Sequence, residues 1–425
     1  MDIAIVIAFI GIVVFLSHLL AEVFSRTKIP DVLSLFLLGV LIGPVFKLVT
    51  PAHFGAVGPI FTTVTLIIIL FESGIGLHVQ ELLKTMRPAL TLTIVNFLAT
   101  TVLVGGAAWA FGAVGPLMSF MLGAIVGGTS SAVVIPLVSQ LKLQSESKSI
   151  LILESALSDV LCIVFALAFL EAYKIGSLHV GPMIGHILSS FLLAGAIGTG
   201  AAYGWSILLN KLRAFRNSVF TTPAFVFIVF AVTELLGFSG AIASLAFGIA
   251  LGNAGLLRLP ILRRYTLAEP LEPNQTEKAF FSEIVFLFKT FFFIYIGLSI
   301  QLSNTYWLFF GVDLTLLMFA IRIPVVRLTV PHSVPMSDAA SMAVIVPKGL
   351  AAAVLASLAL QQGIGGGEFI QNVTYAVILF SIVTTSVLVF LIDKTTLGRL
   401  YMRLIGGAGD RKNSEVSAAP SSHEG

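Results

Sequence analysis

The stretch ILILESALSDVLCIVFALAFLEA, from Ile150 to Ala172, decides how this chain is read. It is largely apolar and long enough to cross a bilayer as one helix, which takes about 20 residues. Yet it carries Glu154 and Asp159. A carboxylate at mid-bilayer costs at least ~2.5–3.5 kcal/mol, so an acid in such a run is a functional candidate by default. At about 100° per residue, Ser155 and Asp159 share one helix face, while Glu154 points about 140° away from Asp159. The two acids therefore have different tasks. One faces a water-filled path and the other a partner inside the protein.

The rest of the chain has the same character. Hydrophobic residues make up 57 % and charged residues 11 % of its 425 positions, with a mean hydropathy of +1.03. A soluble protein carries about a quarter charged residues, so the composition defines an all-α polytopic membrane protein. The net charge of +3 is spread thinly, which argues against a nucleic-acid partner. A lone Cys162 excludes an intramolecular disulfide. There is no His/Cys cluster with metal-ligand spacing, no phosphate-binding Gly-rich loop and no soluble nucleotide domain. The sequence therefore speaks against ATP-driven pumping and against an enzyme, and no cofactor or resident metal is expected. Met1-Asp2 lacks a basic n-region and the first apolar run is of full spanning length, so a span is expected there and not a cleaved signal.

Thirteen transmembrane helices are expected, at about 3–22, 31–48, 58–77, 88–111, 116–140, 149–172, 182–209, 219–236, 238–254, 279–301, 305–325, 338–360 and 370–392. Loops after odd-numbered spans, with the tail, carry nearly all the Lys and Arg; those after even-numbered spans carry only Lys47 and Lys174. The positive-inside rule then places the N-terminus outside and the C-terminus in the cytoplasm of a multi-pass protein in the cell (inner) membrane. The polar tail, 394–425, is expected to be disordered.

The halves resemble each other. Leu38-Gly-Val-Leu-Ile-Gly-Pro44 in the second span parallels Phe247-Gly-Ile-Ala-Leu-Gly-Asn253 in the ninth. Phe71 with Gly76 to Val79 parallels Phe292 with Gly297 to Ile300. Both matches lie seven spans apart, and an odd offset inserts the copies upside down. A transmembrane domain over 1–393 is thus read as two inverted six-helix repeats, 1–172 and 219–393, joined by a linker helix at 182–209. The fifth and twelfth spans hold equivalent places, and both are interrupted, by Gly127-Gly-Thr-Ser-Ser131 with Pro136 and by Pro347-Lys-Gly349. Paired interruptions predict crossed broken helices whose freed backbone groups line a central site.

Asp159 is the candidate carrier. A carboxylate holds a partly dehydrated monovalent cation or a proton, one at a time, and pH on each side decides which leaves. Ser155, Ser158, Thr129 and Ser130 can add the neutral oxygens that hard cations prefer. Glu154, facing elsewhere, needs a cation, and Lys348 at the second break is the expected partner in a structural ion pair. Glu72 is a further candidate cation ligand, although its place in the third span also fits the interface. Lys289 is a counter-charge to Glu72 or Asp159, or it snorkels. Arg322 is read at the cytoplasmic interface, the alternative being support of broken-helix carbonyls. Glu22, Glu171, Glu234, His78 and His186 look peripheral.

At this point the chain resembles the monovalent cation/proton antiporter superfamily, NhaP-like sodium/proton antiporters in particular. The resemblance spans about 1–393 and rests on Ile29-Pro30 with Gly39 to Pro44, Phe71-Glu72-Ser-Gly74, Gly127-Gly-Thr129, Glu154-Ser155 to Asp159, and Pro347-Lys348-Gly349. It implies that Asp159 matches the essential ion-binding aspartate and that Ser155 and Glu72 match residues near the bound cation. It also implies that Glu154 matches a glutamate paired to a basic residue in the second broken helix. Alternating access, with a core domain moving against a dimerising domain, and a homodimer are further implications. Three departures stand out: Thr129-Ser130-Ser131 where such chains have Thr-Asp-Pro, Ser158-Asp159 where they have Asn-Asp, and Lys348 where they have Arg.

The expectation is a secondary antiporter exchanging Na+ or K+ for H+, one for one and electroneutral, because a single carrier carboxylate is present. Membrane lipid is its other partner. Rivals are a K+ channel or efflux system on the same scaffold and a Na+-coupled organic-anion symporter.

Overall fold

The computed structural model describes residues 11–19, 22, 31–54, 57–76, 79–112, 114–175, 180–212, 220–256, 275–301 and 304–394. Among them the regular structure is helical throughout. In lipid every backbone N–H and C=O must be satisfied within the protein, and a helix does this inside one segment. The helices are α1 (11–19), α2 (Asp31–Val40), α3 (Val57–Gly76), α4 (Val79–Phe111), α5 (Pro116–Ile125), α6 (Ser131–Gln140), α7 (Ser145–Ile175) and α8 (Val180–Leu212). Then come α9 (Thr221–Leu235), α10 (Gly240–Gly252), α11 (Gln275–Ser299), α12 (Thr305–Thr329), α13 (Met336–Val344), α14 (Leu350–Gln361) and α15 (Gly367–Lys394). Among the described residues, five helices are long and apolar enough to cross a membrane, and the other apolar helices are shorter.

Local chemistry sets the ends. Pro116 opens α5 at a position whose N–H would go unused. The side chains of Ser239 and Asn304 accept from Ile242 N and Trp307 N at the starts of α10 and α12. Gly237, at φ +80°, follows α9 in the left-handed conformation that glycine adopts without strain. α2 runs on into a π-helical turn, Leu41–Val45, around Pro44, which has no N–H to give an ordinary helical ladder. The segment expected as a loop before residue 88 is instead helical: α4 starts at Val79 and takes Pro88 inside it. Of the tail expected to be disordered, 394–425, all but Lys394 lies outside the described residues, as do half of the first span and His78.

The helices sort into two bundles. α4 to α7 pack with α12 to α15, and α2 and α3 pack with α8 to α11. The bundles meet mainly where α7 touches α8, α14 touches α3 and α15 touches α2. A cleft of about 850 Å³ opens between them, lined among others by Leu66, Ile163, Phe230, Glu234, Ile242 and Leu355.

Glycine locks the second bundle together at two crossings. A Cβ on Gly39 of α2 would lie 2.2 Å from the carbonyl oxygen of Ile294 and 2.9 Å from Cα of Gly297, on α11. A Cβ on Gly248 of α10 would lie 2.2 Å from the carbonyl oxygen of Phe71 and 3.1 Å from Cα of Gly74, on α3. Gly74, not Gly76, is therefore the α3 glycine at the crossing; a Cβ on Gly76 would meet nothing within 4 Å.

In the first bundle two helical lines are interrupted. Residues 126–130 separate α5 from α6, and 345–349 separate α13 from α14. The breaks bond to each other, Ser130 N donating to Pro347 O at 2.8 Å. Gly349 is needed there, since a Cβ would sit 2.1 Å from Ser130 Oγ.

Candidate functional site

Each break exposes a helix C-terminus rich in unpaired carbonyls and a helix N-terminus rich in unpaired N–H groups. The side chains around the breaks answer both. At the end of α5, Lys348 Nζ donates to Gly128 O at 2.6 Å, placing an ammonium at the negative end of the helix dipole. At the start of α6, Ser131 donates through Oγ to Asp159 Oδ2 at 2.8 Å. A carboxylate thus sits at the positive end of the second half-helix.

α7 carries this carboxylate past the break. Ser158 Oγ accepts from Thr129 N at 2.9 Å and donates to Ser155 O at 3.1 Å. Ser155 donates its own hydroxyl to Ile152 O at 2.8 Å, so its oxygen lone pairs stay available. Thr129 Oγ1 is buried and has no hydrogen-bond partner. Cys162 packs close enough that a Cβ on Gly128 would meet its sulfur at 2.5 Å. Asp159, Ser155, Ser158, Thr129, Ser130 and Lys348 are therefore gathered at one place. Asp159 is half-buried, and among the described residues no cation lies within ion-pair distance of it.

Three expectations are corrected. Glu154 does not pair with Lys348. Both its oxygens are taken by Arg322 of α12, through Nη1 and through Nη2 at 2.6 Å, while Arg322 Nε donates to Met342 O at 3.1 Å near the end of α13. The planar guanidinium fork matches two carboxylate oxygens and has a further N–H for the carbonyl; a lysine ammonium has no such fork. Arg322 is likewise not at the interface. Its side chain is 0 % exposed. The signal was available, since a charge inside an apolar span is costly and demands a partner. Arg322 lies well inside α12, which runs from Thr305 to Thr329.

Glu72 is the third correction. It lies on α3 in the other bundle, in a small pocket with Ile68, Phe71, Pro223, Val226 and Phe281, where Lys289 of α11 acts on it electrostatically. It is not gathered with the Asp159 group. Of the peripheral acids, Glu22 is exposed and Glu234 caps the chain before α10, accepting from Gly240 N at 2.7 Å. Ser131 is the site residue that sequence reasoning missed. Its position, first in the second half-helix and beside the freed N–H groups, was the available clue.

Apolar helices in two bundles, with a pair of interrupted lines meeting around buried charges, form the architecture of a membrane transporter. Residues 10–394 match the family described as sodium/hydrogen exchanger, transmembrane, and the chain belongs to that family. The Na(+)/H(+) antiporter 1 of Methanocaldococcus jannaschii is 26 % identical over 327 residues, 71 % of this chain and 70 % of that protein. The K(+)/H(+) antiporter NhaP of Alkalimonas amylolytica is 23 % identical over 381 residues, which is 88 % of this chain but only 64 % of that longer protein. In fold, the chain is similar to the sodium proton antiporter MjNhaP1 from M. jannaschii at pH 8, with a TM-score of 0.72 at 21 % identity, covering 96 % of this chain and 100 % of that one.

Proposed function

We propose that the protein is a secondary antiporter exchanging a monovalent cation, Na+ or K+, for a proton, with Asp159 as the shared carrier. One observation carries this reading. Two acids lie a turn and a half apart on α7; Arg322 cancels Glu154, while Asp159 is left half-buried at a helix break with only hydrogen-bond donors on it. A carboxylate so placed keeps a charge for a mobile partner. Thr129 Oγ1, lacking a hydrogen-bond partner, and the lone pairs of Ser155 and Ser158 supply neutral oxygens for a cation. The relatives named as Na+/H+ and K+/H+ antiporters keep both cations in view.

With one carrier carboxylate, exchange is one for one and ignores membrane voltage. Transport follows alternating access, the bundle of α4–α7 and α12–α15 moving against the other. The thirteen-span topology with inverted repeats is supported by the glycine crossings: Gly39 on Gly297 and Gly248 on Gly74 are the same contact with the halves exchanged. The protein works as a homodimer in the cell membrane, N-terminus outside and C-terminus in the cytoplasm.

The test uses proteoliposomes with an imposed pH gradient and a lumenal pH dye. Sodium, potassium or lithium is added in turn, with and without a voltage clamp, for the wild type and Asp159→Asn. Cation-evoked recovery that ignores voltage and vanishes in the variant is expected. Exchange retained by Asp159→Asn overturns the carrier assignment, and strictly downhill cation flow points to a channel instead.

A further inference from the structure

Ser131 holds one side of the carrier carboxylate. Its Oγ–H reaches Asp159 Oδ2 at 2.8 Å, and the side chain is buried. The hydroxyl stands on the first residue of α6, so its place is set by the break itself. A donor fixed in this way favours one orientation of the carboxylate, with Oδ2 turned to Ser131 and Oδ1 left over. Two residues earlier, Thr129 Oγ1 is buried without a hydrogen-bond partner, so the same break holds a neutral oxygen with unused capacity.

We infer that Ser131 is a positioning residue that makes Asp159 a one-oxygen ligand and thereby sets which alkali cation the site accepts. The inference rests on the carrier reading of Asp159. A carboxylate free to rotate chelates through one or both oxygens and adjusts to ions of different radius. A clamped one offers a single oxygen at a fixed place, and the remaining ligands, Thr129 among them, are set by the backbone of the break. Only a cation whose radius matches those distances is then fully coordinated. Ser131 acts through Asp159 and need not touch the ion. Removing a group that orients a ligand in this way generally costs about 10–100-fold in affinity.

The experiment measures half-saturating concentrations of Li+, Na+, K+ and Rb+ at one pH in proteoliposomes, for wild type, Ser131→Ala, Ser131→Thr and Asp159→Asn. Ser131→Ala should raise the value for the preferred cation by about 10–100-fold and change the poorest least, so the spread across the series narrows. Ser131→Thr keeps the hydroxyl and should keep the spread. The inference is overturned if Ser131→Ala leaves the spread intact, if all four values rise in parallel, or if Ser131→Thr narrows the spread equally. A wild type with no spread overturns it as well. Should Ser131→Ala fail to fold, Ser131→Cys, similar in size and a weak donor, takes its place with the same expectation. Asp159→Asn separates the two levels: if it is inactive while the spread in Ser131→Ala is unmoved, only this inference falls. If it still exchanges, the carrier reading falls first.

Discussion

Glu154 of α7 and Arg322 of α12 meet as a two-pronged ion pair with both side chains shut away from solvent, at 1 % and 0 % exposure. The pair ties the helix that carries Asp159 to the helix that supports the second break, because the same arginine also holds Met342 O. Charges so deeply buried are tolerable only together. Removing one partner should cost about 3–5 kcal/mol, whereas replacing both by neutral groups of similar size costs little. Arg322→Ala and Glu154→Ala are thus expected to lower the melting temperature of the purified protein sharply. The double variant Glu154→Gln/Arg322→Met should recover most of it. A double variant as unstable as either single one would show that the pair has a task beyond mutual neutralisation.

Lys348 makes a different prediction. Its ammonium bonds Gly128 O, and its backbone N–H bonds Ser381 Oγ at 3.0 Å. Lys348→Met should leave a buried carbonyl unpaired at a cost of about 1–3 kcal/mol. In double-mutant cycles read by thermal unfolding, Glu154 should couple strongly to Arg322 and much less to Lys348. Equal couplings would restore the pairing expected from the sequence.

Glu72 should be dispensable for cation affinity. Glu72→Gln is expected to leave the half-saturating cation concentration unchanged, because its surroundings are α9 and α11 and not the breaks. A large increase on flux measurement would bring α3 into the site.

The glycine crossings offer a control within the experiment. Gly39→Ala and Gly248→Ala each drive a methyl group against a backbone carbonyl at 2.2 Å, and overpacking of this kind costs about 1–3 kcal/mol. Gly76→Ala meets nothing and, as a helical Gly→Ala change, should be neutral or slightly stabilising. Melting temperatures of the three variants decide the matter.

Much of this was legible in the chain. Apolar length located the helices from the second span onward to within a few residues, except where α4 runs past Pro88. Gly and Pro at matched places in two long apolar runs located the breaks, and a 3.6-residue period separated Glu154 from Asp159. What the period cannot give is the identity of a partner on another helix. Glu154 faces away from Asp159 in any register, but whether Arg322 or Lys348 waits there depends on how α12 packs against α4 and α13. The same limit hid the surroundings of Glu72, since the face of α3 that meets the first bundle is fixed by its glycine contact with α10. Ser131 went unread for the same reason: its hydroxyl meets Asp159 across two helices, α6 and α7, and no period within either helix shows that contact.

The hydrogen bond from Ser130 N to Pro347 O gives the proposed function a mechanical consequence. Together with Lys348 Nζ on Gly128 O, it stitches the first break to the second. A cation seated at Asp159 cannot leave by the two lines drawing apart without stripping both contacts. The stitched breaks behave as a single cargo bed, loaded and unloaded by its position rather than by its shape. Variants that weaken the stitch should therefore leak rather than stall.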